Sequence, residues 1–212
     1  MPTDVSRQRI LEQLAKAGKN KPVFVEVSNT DIDMIYKPIQ PDASTCFKNE
    51  LEMINGQCIL CDDETDLYSK LKSFTEHKNI PYLYCRDSYI VGQLKANKIP
   101  FSASESDFES MQAGITGCEF LIARTGSVVV TSASISGRQM NVFPPVHIVL
   151  AHVSQLLNYQ EDALIAIQDK YGDSLPSSIS TITGPSRTAD IEKTLVLGAH
   201  GPKELIVFLC RV

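Results

Sequence analysis

Three short segments of this sequence combine glycine with residues that can bind an anion or transfer a proton. They are "TGCE" (116–119), Arg138 with the loop that ends at Pro144-Pro145, and "TGPSRTADIEKTLVLGAHGP" (183–202). Each segment follows or adjoins a predicted strand. Ligands of an open parallel sheet bind outside the carboxyl ends of its strands. We therefore expect the three segments to converge on one cleft.

The longest of these segments offers several contacts for an anion. Ser186, Arg187 and Thr188 supply two hydroxyls and a guanidinium fork, and a short helix starting near Ala189 would add free backbone N–H groups. This set suits a carboxylate or a phosphate. The alternative is a capped turn with a solvated arginine, since helix starts attract Ser and Thr anyway. The predicted ligand contacts of the three segments are Thr116, Gly117, Arg138, Gly184, Ser186, Arg187, Thr188, Asp190, Glu192 and His200.

Glu119 is the predicted acid or base of this cleft. It follows a strand and a glycine turn, and a desolvated carboxylate in that position could act in proton transfer. The alternative is a glutamate that holds a neighbouring loop by hydrogen bonds. Cys118 has no base partner nearby in the sequence, so we expect a small buried residue rather than a nucleophile.

The cysteines and histidines show no spacing typical of a metal site. Cys58 and Cys61 form a CxxC inside an apolar run that looks like a buried strand, where residues three apart point to opposite faces. No second CxxC completes a zinc site. The sequence also contains no GxGxxG, Walker loop or nucleophile elbow. We therefore expect neither a metal nor a cofactor.

Composition excludes several functional classes. The net charge is −5, with 43% hydrophobic and 21% charged residues, an ordinary balance for a globular protein. A broad nucleic-acid surface would be basic. No apolar run approaches the roughly 20 residues of a membrane span, and the amphipathic N-terminus lacks the apolar region of a signal peptide. These features predict a cytoplasmic protein without a nucleic-acid partner or a membrane span.

Hydrophobic periodicity places the three segments on alternating strands and helices. A Thr-Gly turn inside 112–134 predicts a hairpin or a bent strand pair. The last predicted helix starts at a possible capping box of Asn158 and Glu161, with Ala163, Leu164, Ile167 and Tyr171 inward. The predicted helices are 5–17, 43–54, 62–79, 86–98 (capped near Asp87 or Ser88) and 159–171; the predicted strands include 21–27, 57–61, 81–85, 146–153, "SSISTITG" and "ELIVFLCRV". The alternation predicts an α/β fold with an open, mostly parallel sheet layered by helices.

Three longer blocks carry a resemblance to a known family. "TGCEFLIARTGSVVV", "GRQMNVFPPVHIVL" and "GPSRTADIEKTLVLGAHGPKEL" resemble the signature blocks of the LUD-domain family, and more closely those of its lactate utilisation protein C group. The blocks cover about residues 113–206. The resemblance implies a single α/β domain over residues 1–212, with a fold similar to the NagB/RpiA/CoA-transferase group.

The resemblance also implies a role in bacterial L-lactate utilisation. In that system a C protein acts with an A protein and an iron–sulfur B protein in oxidising lactate to pyruvate, so the clusters are expected in the partners. The chain itself would bind a small anionic metabolite. Two alternatives stay open, since fold does not imply function. One is a free-standing isomerase or CoA-transferase-like enzyme on small carboxylates or sugar phosphates, and the other is a non-catalytic module that senses an anion.

One residue departs from the family pattern. Family members commonly have glutamate in "AETG", whereas this chain has Arg124 in "ARTG". If that glutamate takes part in chemistry, the activity of this chain is altered or lost. Arg124 could instead pair with Glu119 or Glu192, or contact an anion. Within the third block we expect Arg187 to contact the anion, Asp190 and Glu192 to orient Arg187 or fix the loop, and His200 to contact the ligand or cap a carbonyl.

Overall fold

The computed structural model describes residues 4–17, 38–189, 195–198 and 200–211. The chain divides into two compact units, Met1–Pro38 and Ile39–Val212. In the first unit, helix α1 spans Asp4–Ala17, which confirms the first predicted helix. The predicted strand at 21–27 lies outside the described residues. A single domain over residues 1–212 stays a prediction.

The second unit alternates helices and strands. Its helices are α2 (Ala43–Met53), α3 (Glu64–His77), α4 (Ser88–Ala96) and α5 (Gln160–Tyr171). Its strands are β1 (Gln57–Cys61), β2 (Leu83–Tyr84), β3 (Phe101–Ser102), β4 (Ala113–Thr116), β5 (Phe120–Ile122), β6 (Ser127–Thr131), β7 (Val146–His152), β8 (Leu156–Leu157), β9 (Ile179–Ile182), β10 (Arg187–Ala189), β11 (Leu195–Leu197) and β12 (Glu204–Cys210). None of the helices in the described ranges is long and apolar enough to cross a membrane.

Aspartates fix the starts of three helices. The carboxylates of Asp42, Asp63 and Asp87 accept hydrogen bonds from backbone N–H groups in the first turns of α2, α3 and α4. Such N-caps satisfy donors that have no acceptor within the helix. The cap at Asp87 confirms the predicted start of α4.

Six parallel strands form the main sheet, in the order β1-β12-β7-β4-β2-β3. Helices α3 and α4 pack on one face, and α2 with a second sheet packs on the other. Cys61 belongs to the first of these apolar layers and Cys58 to the second. This confirms that the CxxC lies on a buried strand with its two thiols on opposite faces. The α/β prediction with a mostly parallel sheet is likewise confirmed.

The second sheet has the order β8-β5-β6-β9. Strands β5 and β6 form the predicted hairpin, and the turn between them ends at Gly126, whose φ is 58°. A Cβ on Gly126 would overlap the backbone of Leu51 in α2, so the close approach of helix and turn requires glycine. Strand β9 runs antiparallel to β6. The segment that follows β9 therefore begins at the opposite end of the second sheet from the segment that follows β6.

Helix α5 covers the outer face of the second sheet and differs from its prediction in two details. Its N-cap is Tyr159, whose N–H donates to the Asp162 carboxylate (3.1 Å). The predicted capping box at Asn158 is therefore wrong by one residue. Ala163 and Ile167 pack against the sheet, but Leu164 is 47% exposed. Because only a narrow stripe of α5 meets the sheet, the predicted inward position of Leu164 is wrong.

Candidate functional site

A cleft opens where neighbouring parallel strands continue to opposite faces of the main sheet. Strand β2 leads into α4 on one face, while its neighbour β4 leads into β5 on the other. The chain segments that leave these strands separate at Asp87 and Gly117, which both line the cleft. Crevices at such topological switch points are the usual ligand sites of open α/β sheets.

The cleft consists of two adjoining compartments that share Asp87, Gly117 and Cys118. The first, the tyrosine compartment, has a volume of about 170 Å³, and its other lining residues are Glu64, Leu67, Tyr68, Tyr89, Ile90, Leu150, His152 and Gln155. The second, the lysine compartment, has a volume of about 270 Å³, and its other lining residues include Glu119, Thr131, Ser134, Ile135, Asn141, Lys170 and Tyr171. The sizes suit small molecules or parts of larger ones.

Glu119 is held by three hydrogen bonds in the lysine compartment. Oε1 accepts from the Thr131 hydroxyl (2.8 Å) and the Tyr171 hydroxyl (2.7 Å), and Oε2 accepts from Lys170 Nζ (2.6 Å). Burial raises the pKa of Glu119, but the bonds from Lys170, Tyr171 and Thr131 outweigh burial and hold the pKa below its ordinary value. The ionised carboxylate is thus a fixed partner for Lys170. A catalytic role of Glu119 stays a prediction.

The backbone between the compartments is anchored from β7. The Gln155 amide donates to the Cys118 carbonyl (2.7 Å), while its Oε1 accepts from the His152 N–H (2.9 Å). The His152 ring in turn accepts from the backbone of Gln155. Burial raises the pKa of the Cys118 thiol to about 12, so the thiol is protonated at neutral pH. A protonated thiol is a weak nucleophile. The expected buried position of Cys118 is found only in part, since the residue is half-buried and lines both compartments.

The predicted site residues of the first two segments do not all lie in the cleft. Gly117 and Glu119 line the cleft. Thr116 is buried, and its hydroxyl lies 2.9 Å from His147 Nε2 on the neighbouring strand. Arg138 is exposed in a 3₁₀ turn, whose last residue, Asn141, lines the lysine compartment.

The third predicted segment lies at the other edge of the main sheet. Arg187 donates to the carbonyl of Ile54, between α2 and β1, and a Cβ on Gly184 would also meet this carbonyl. The N–H of Ser186 donates to the carbonyl of Pro202 (2.8 Å), just before β12. Ile54 and Pro202 precede parallel strands, so this segment borders the amino edge of the sheet.

The prediction that all three segments converge on one cleft is therefore wrong. Glu119 lies at the carboxyl edge of the main sheet and Arg187 at its amino edge. The reason is that β9 does not belong to the parallel sheet: it pairs antiparallel with β6, so the loop after β9 lies at the amino edge. His200 is exposed in the turn before β12. Asp190 and Glu192 lie outside the described residues, and Thr188 is described only as a backbone position of β10 opposite Val196.

Arg124 is positioned by an aromatic ring. Its guanidinium carbon lies 4.8 Å from the centroid of the Tyr159 ring, the distance of a cation–π contact. The predicted pairing of Arg124 with Glu192 falls outside the described residues. Glu119 receives its charged hydrogen bond from Lys170 instead.

Sequence reasoning missed Lys170 and Tyr171, which end α5 next to Gly172. A basic residue in the last turn commonly complements the helix dipole, so the local pattern alone indicates only helix termination. Lys170 and Tyr171 reach the cleft only through the tertiary packing of α5 on the second sheet, which brings both side chains to Glu119.

Comparisons with known proteins agree with this fold. The LUD domain profile matches residues 45–210. An uncharacterized protein of Neisseria meningitidis serogroup B is 34% identical over 133 residues, which cover 63% of this chain and 56% of that protein. The lactate utilization protein C of Bacillus licheniformis and that of Bacillus subtilis are each 38% identical over 96 residues, which cover 44% of this chain and 40% of theirs.

A solved structure has the same fold at low sequence identity. The crystal structure of a DUF162 family protein from Deinococcus radiodurans aligns with a TM-score of 0.58 and 15% identity, covering 79% of this chain and 96% of that one. In the sequence alignments, by contrast, the chain spans only about half, or less, of the length of the curated relatives it matches.

Proposed function

Because the chain belongs to the LUD domain family, we propose that it is a component of a bacterial lactate utilisation system and binds a small carboxylate metabolite in its cleft. The names of two relatives, both lactate utilization protein C, support this role. In the proposal, partner proteins of the A and B type carry the iron–sulfur clusters and the electron transfer. Among the described residues, no group of three or more His, Cys, Asp or Glu is arranged to hold a metal.

The position of Lys170 is the main support for the proposed metabolite site. Its side chain is 55% exposed, while its Nζ is held 2.6 Å from a Glu119 carboxylate that is itself only 9% exposed. The bond to Glu119 raises the pKa of Lys170, which keeps the ammonium charged. Since an ammonium has three donors, Lys170 retains donors for a ligand carboxylate in the lysine compartment.

The geometry favours a binding role over free-standing catalysis. An isomerase or a CoA-transferase-like enzyme would need a carboxylate free to take a proton or attack a carbonyl. The three hydrogen bonds on Glu119 lower its basicity and hold it in place. The anion-sensing module shares the binding step with our proposal and differs only in needing no partner.

Calorimetric titration with lactate and with pyruvate tests the metabolite site. Lys170→Gln should weaken binding about ten- to a hundredfold, since a charge-assisted contact contributes about 1.5–3 kcal/mol. Lys72→Gln is the matched control, because Lys72 is exposed on α3 and does not line the cleft. Equal affinities of the two variants for both acids would contradict the site.

Reconstitution tests the partners. With an added redox dye as the terminal acceptor of the two electrons released from lactate, purified A- and B-type proteins should oxidise lactate to pyruvate faster with this chain than without it, and Lys170→Gln should reduce the gain. Turnover of a carboxylate or a sugar phosphate by the chain alone would favour the enzyme. Lactate binding without any effect on oxidation would favour the sensing module.

A further inference from the structure

We propose that the tyrosine compartment binds a planar six-membered ring that carries N–H donors, such as an aromatic amide or amine. This site adjoins the lysine compartment that takes the carboxylate in the proposed function, and the two share Asp87, Gly117 and Cys118. It goes beyond that function and does not depend on it, because none of the supporting contacts involves Lys170 or Glu119.

An unpartnered hydroxyl marks the compartment as a site. Tyr68 lines it and is only 5% exposed, yet within the described parts of the chain its hydroxyl makes no hydrogen bond. Burial raises the pKa of Tyr68, and Tyr89 and Glu64 at the compartment's rim raise it further. The phenol therefore stays neutral and can both donate and accept. Although the residue is buried, its hydroxyl oxygen is not fully enclosed. It borders the compartment, where a ligand group could become its partner.

The compartment's size suits one ring. Its volume is about 170 Å³, and Leu67, Ile90 and Leu150 form its apolar walls. An apolar cavity of about 150 Å³ is large enough to bind benzene. The flanking aromatic side chains of Tyr68 and Tyr89 add surfaces on which a planar ring packs favourably.

The polar groups at the rim of the compartment favour a ligand that donates hydrogen bonds. Asp87 Oδ1 accepts from the N–H groups of Tyr89 and Ile90, and Glu64 Oε1 accepts from the Tyr89 hydroxyl (3.2 Å). These bonds fix both carboxylates while leaving each one further oxygen. Carboxylate oxygens only accept hydrogen bonds, and the residues lining this compartment in the described structure include no Lys or Arg. An N–H-bearing ring matches this rim, whereas an anionic ring is repelled by it.

The test compares three rings of equal size: nicotinamide, benzamide and benzoate. Titration followed by ligand-observed NMR and calorimetry should show that both amides bind and that benzoate binds at least tenfold more weakly. Tyr68→Phe should weaken nicotinamide binding about tenfold, the effect of losing one well-formed hydrogen bond. Tyr82→Phe is the matched control, since the Tyr82 hydroxyl contacts Ser110 (3.3 Å) outside the cleft, and it should bind nicotinamide like the parent.

Several outcomes would overturn the proposal: no amide binds, benzoate binds as tightly as the amides, or Tyr68→Phe binds nicotinamide unchanged. If Tyr68→Phe fails to fold, Glu64→Gln replaces it and should narrow the preference for benzamide over benzoate at least severalfold. An unchanged preference there would also contradict the site. Lactate affinity, measured on the same variants, should not change, so the failure of this inference is distinguishable from failure of the proposed function.

Discussion

His147 and Thr116 form a buried hydrogen bond between two neighbouring parallel strands, with 2.9 Å between imidazole Nε2 and hydroxyl Oγ1. His147 is fully buried, and its Nδ1 has no hydrogen-bond partner among the described residues. Burial lowers the pKa of His147 to about 4. The native core thus holds a neutral imidazole that must be charged when the protein unfolds in mild acid.

This burial predicts acid sensitivity. The folded pKa lies below the ordinary value of 6.5, so the unfolded chain binds the extra proton first. Stability should be fully present above pH 6.5 and fall as the pH drops towards 4, by up to about 3 kcal/mol from this residue. Urea titrations at pH 7, 6, 5 and 4 measure it. His147→Gln, which keeps an amide facing Thr116 but does not titrate, should give a flatter curve, whereas the exposed His77→Gln should follow the parent. Parallel curves for the parent and His147→Gln would contradict this assignment.

The contact between Gly126 and α2 predicts that alanine substitutions at two glycines change the stability of the fold in opposite directions. Gly126→Ala places a Cβ against the Leu51 backbone at a φ of 58°, which should destabilise the fold by about 2 kcal/mol or more. Gly92→Ala, in the exposed interior of α4 with nothing within 4 Å of the added Cβ, should stabilise it by about 0.5–1 kcal/mol. Denaturant midpoints of both variants give the comparison. Equal effects of the same sign would show that the turn tolerates a side chain.

The contact of Arg187 predicts a loss of stability rather than of affinity. Its guanidinium donates to the Ile54 carbonyl just beyond α2, where a cation also complements the helix dipole. Arg187→Ala should lower the free energy of unfolding by about 1 kcal/mol because the site is exposed, and hence the melting temperature by about 2–4 °C. Arg187→Lys should recover part of it. Lactate affinity should stay at the parent value; a clear drop in affinity without a change in melting would instead make Arg187 a ligand contact.

The positions of Cys58 and Cys61 predict that the isolated chain copurifies with no stoichiometric metal. The two thiols belong to apolar layers on opposite faces of the sheet, and burial raises the pKa of each to about 12. Because a metal needs deprotonated, converging thiolates, neither thiol is prepared to bind one. Iron and zinc analysis of purified protein should give well below one ion per chain, with the iron–sulfur B-type protein as positive control. Metal that leaves only when the protein unfolds would contradict this interpretation.

Local sequence signals predicted most of the main-sheet elements. The apolar runs at β1, β7 and β12 and the aspartate before α4 act within a few residues, and the structure forms them where the sequence predicts. The second sheet was harder to foresee, because short strands such as β8 pair with β5 through tertiary contacts that no local pattern specifies.

The candidate site could be predicted only in part for the same reason. Gly117 and Glu119 follow a parallel strand, so the rule for carboxyl ends places them correctly at the cleft. Applied to Arg187, the rule fails, because it presumes that β9 belongs to the parallel sheet. The partners of Glu119, Lys170 and Tyr171, come from a helix that reaches the cleft across the second sheet.

The place of β12 in the main sheet has a consequence for the order of events during synthesis on the ribosome. It is the last of the six strands along the chain, yet it lies between β1 and β7 with all but its first residue buried, and it brings Ile206 opposite Gln57. Until β12 has left the exit tunnel, β1 and β7 lack the neighbour that joins them, and their apolar faces stay uncovered. Such long-range closure is intrinsically slow and exposes aggregation-prone edges. Nascent chains arrested before residue 204 should therefore depend on chaperone holding, whereas chains in which β12 has left the tunnel should not.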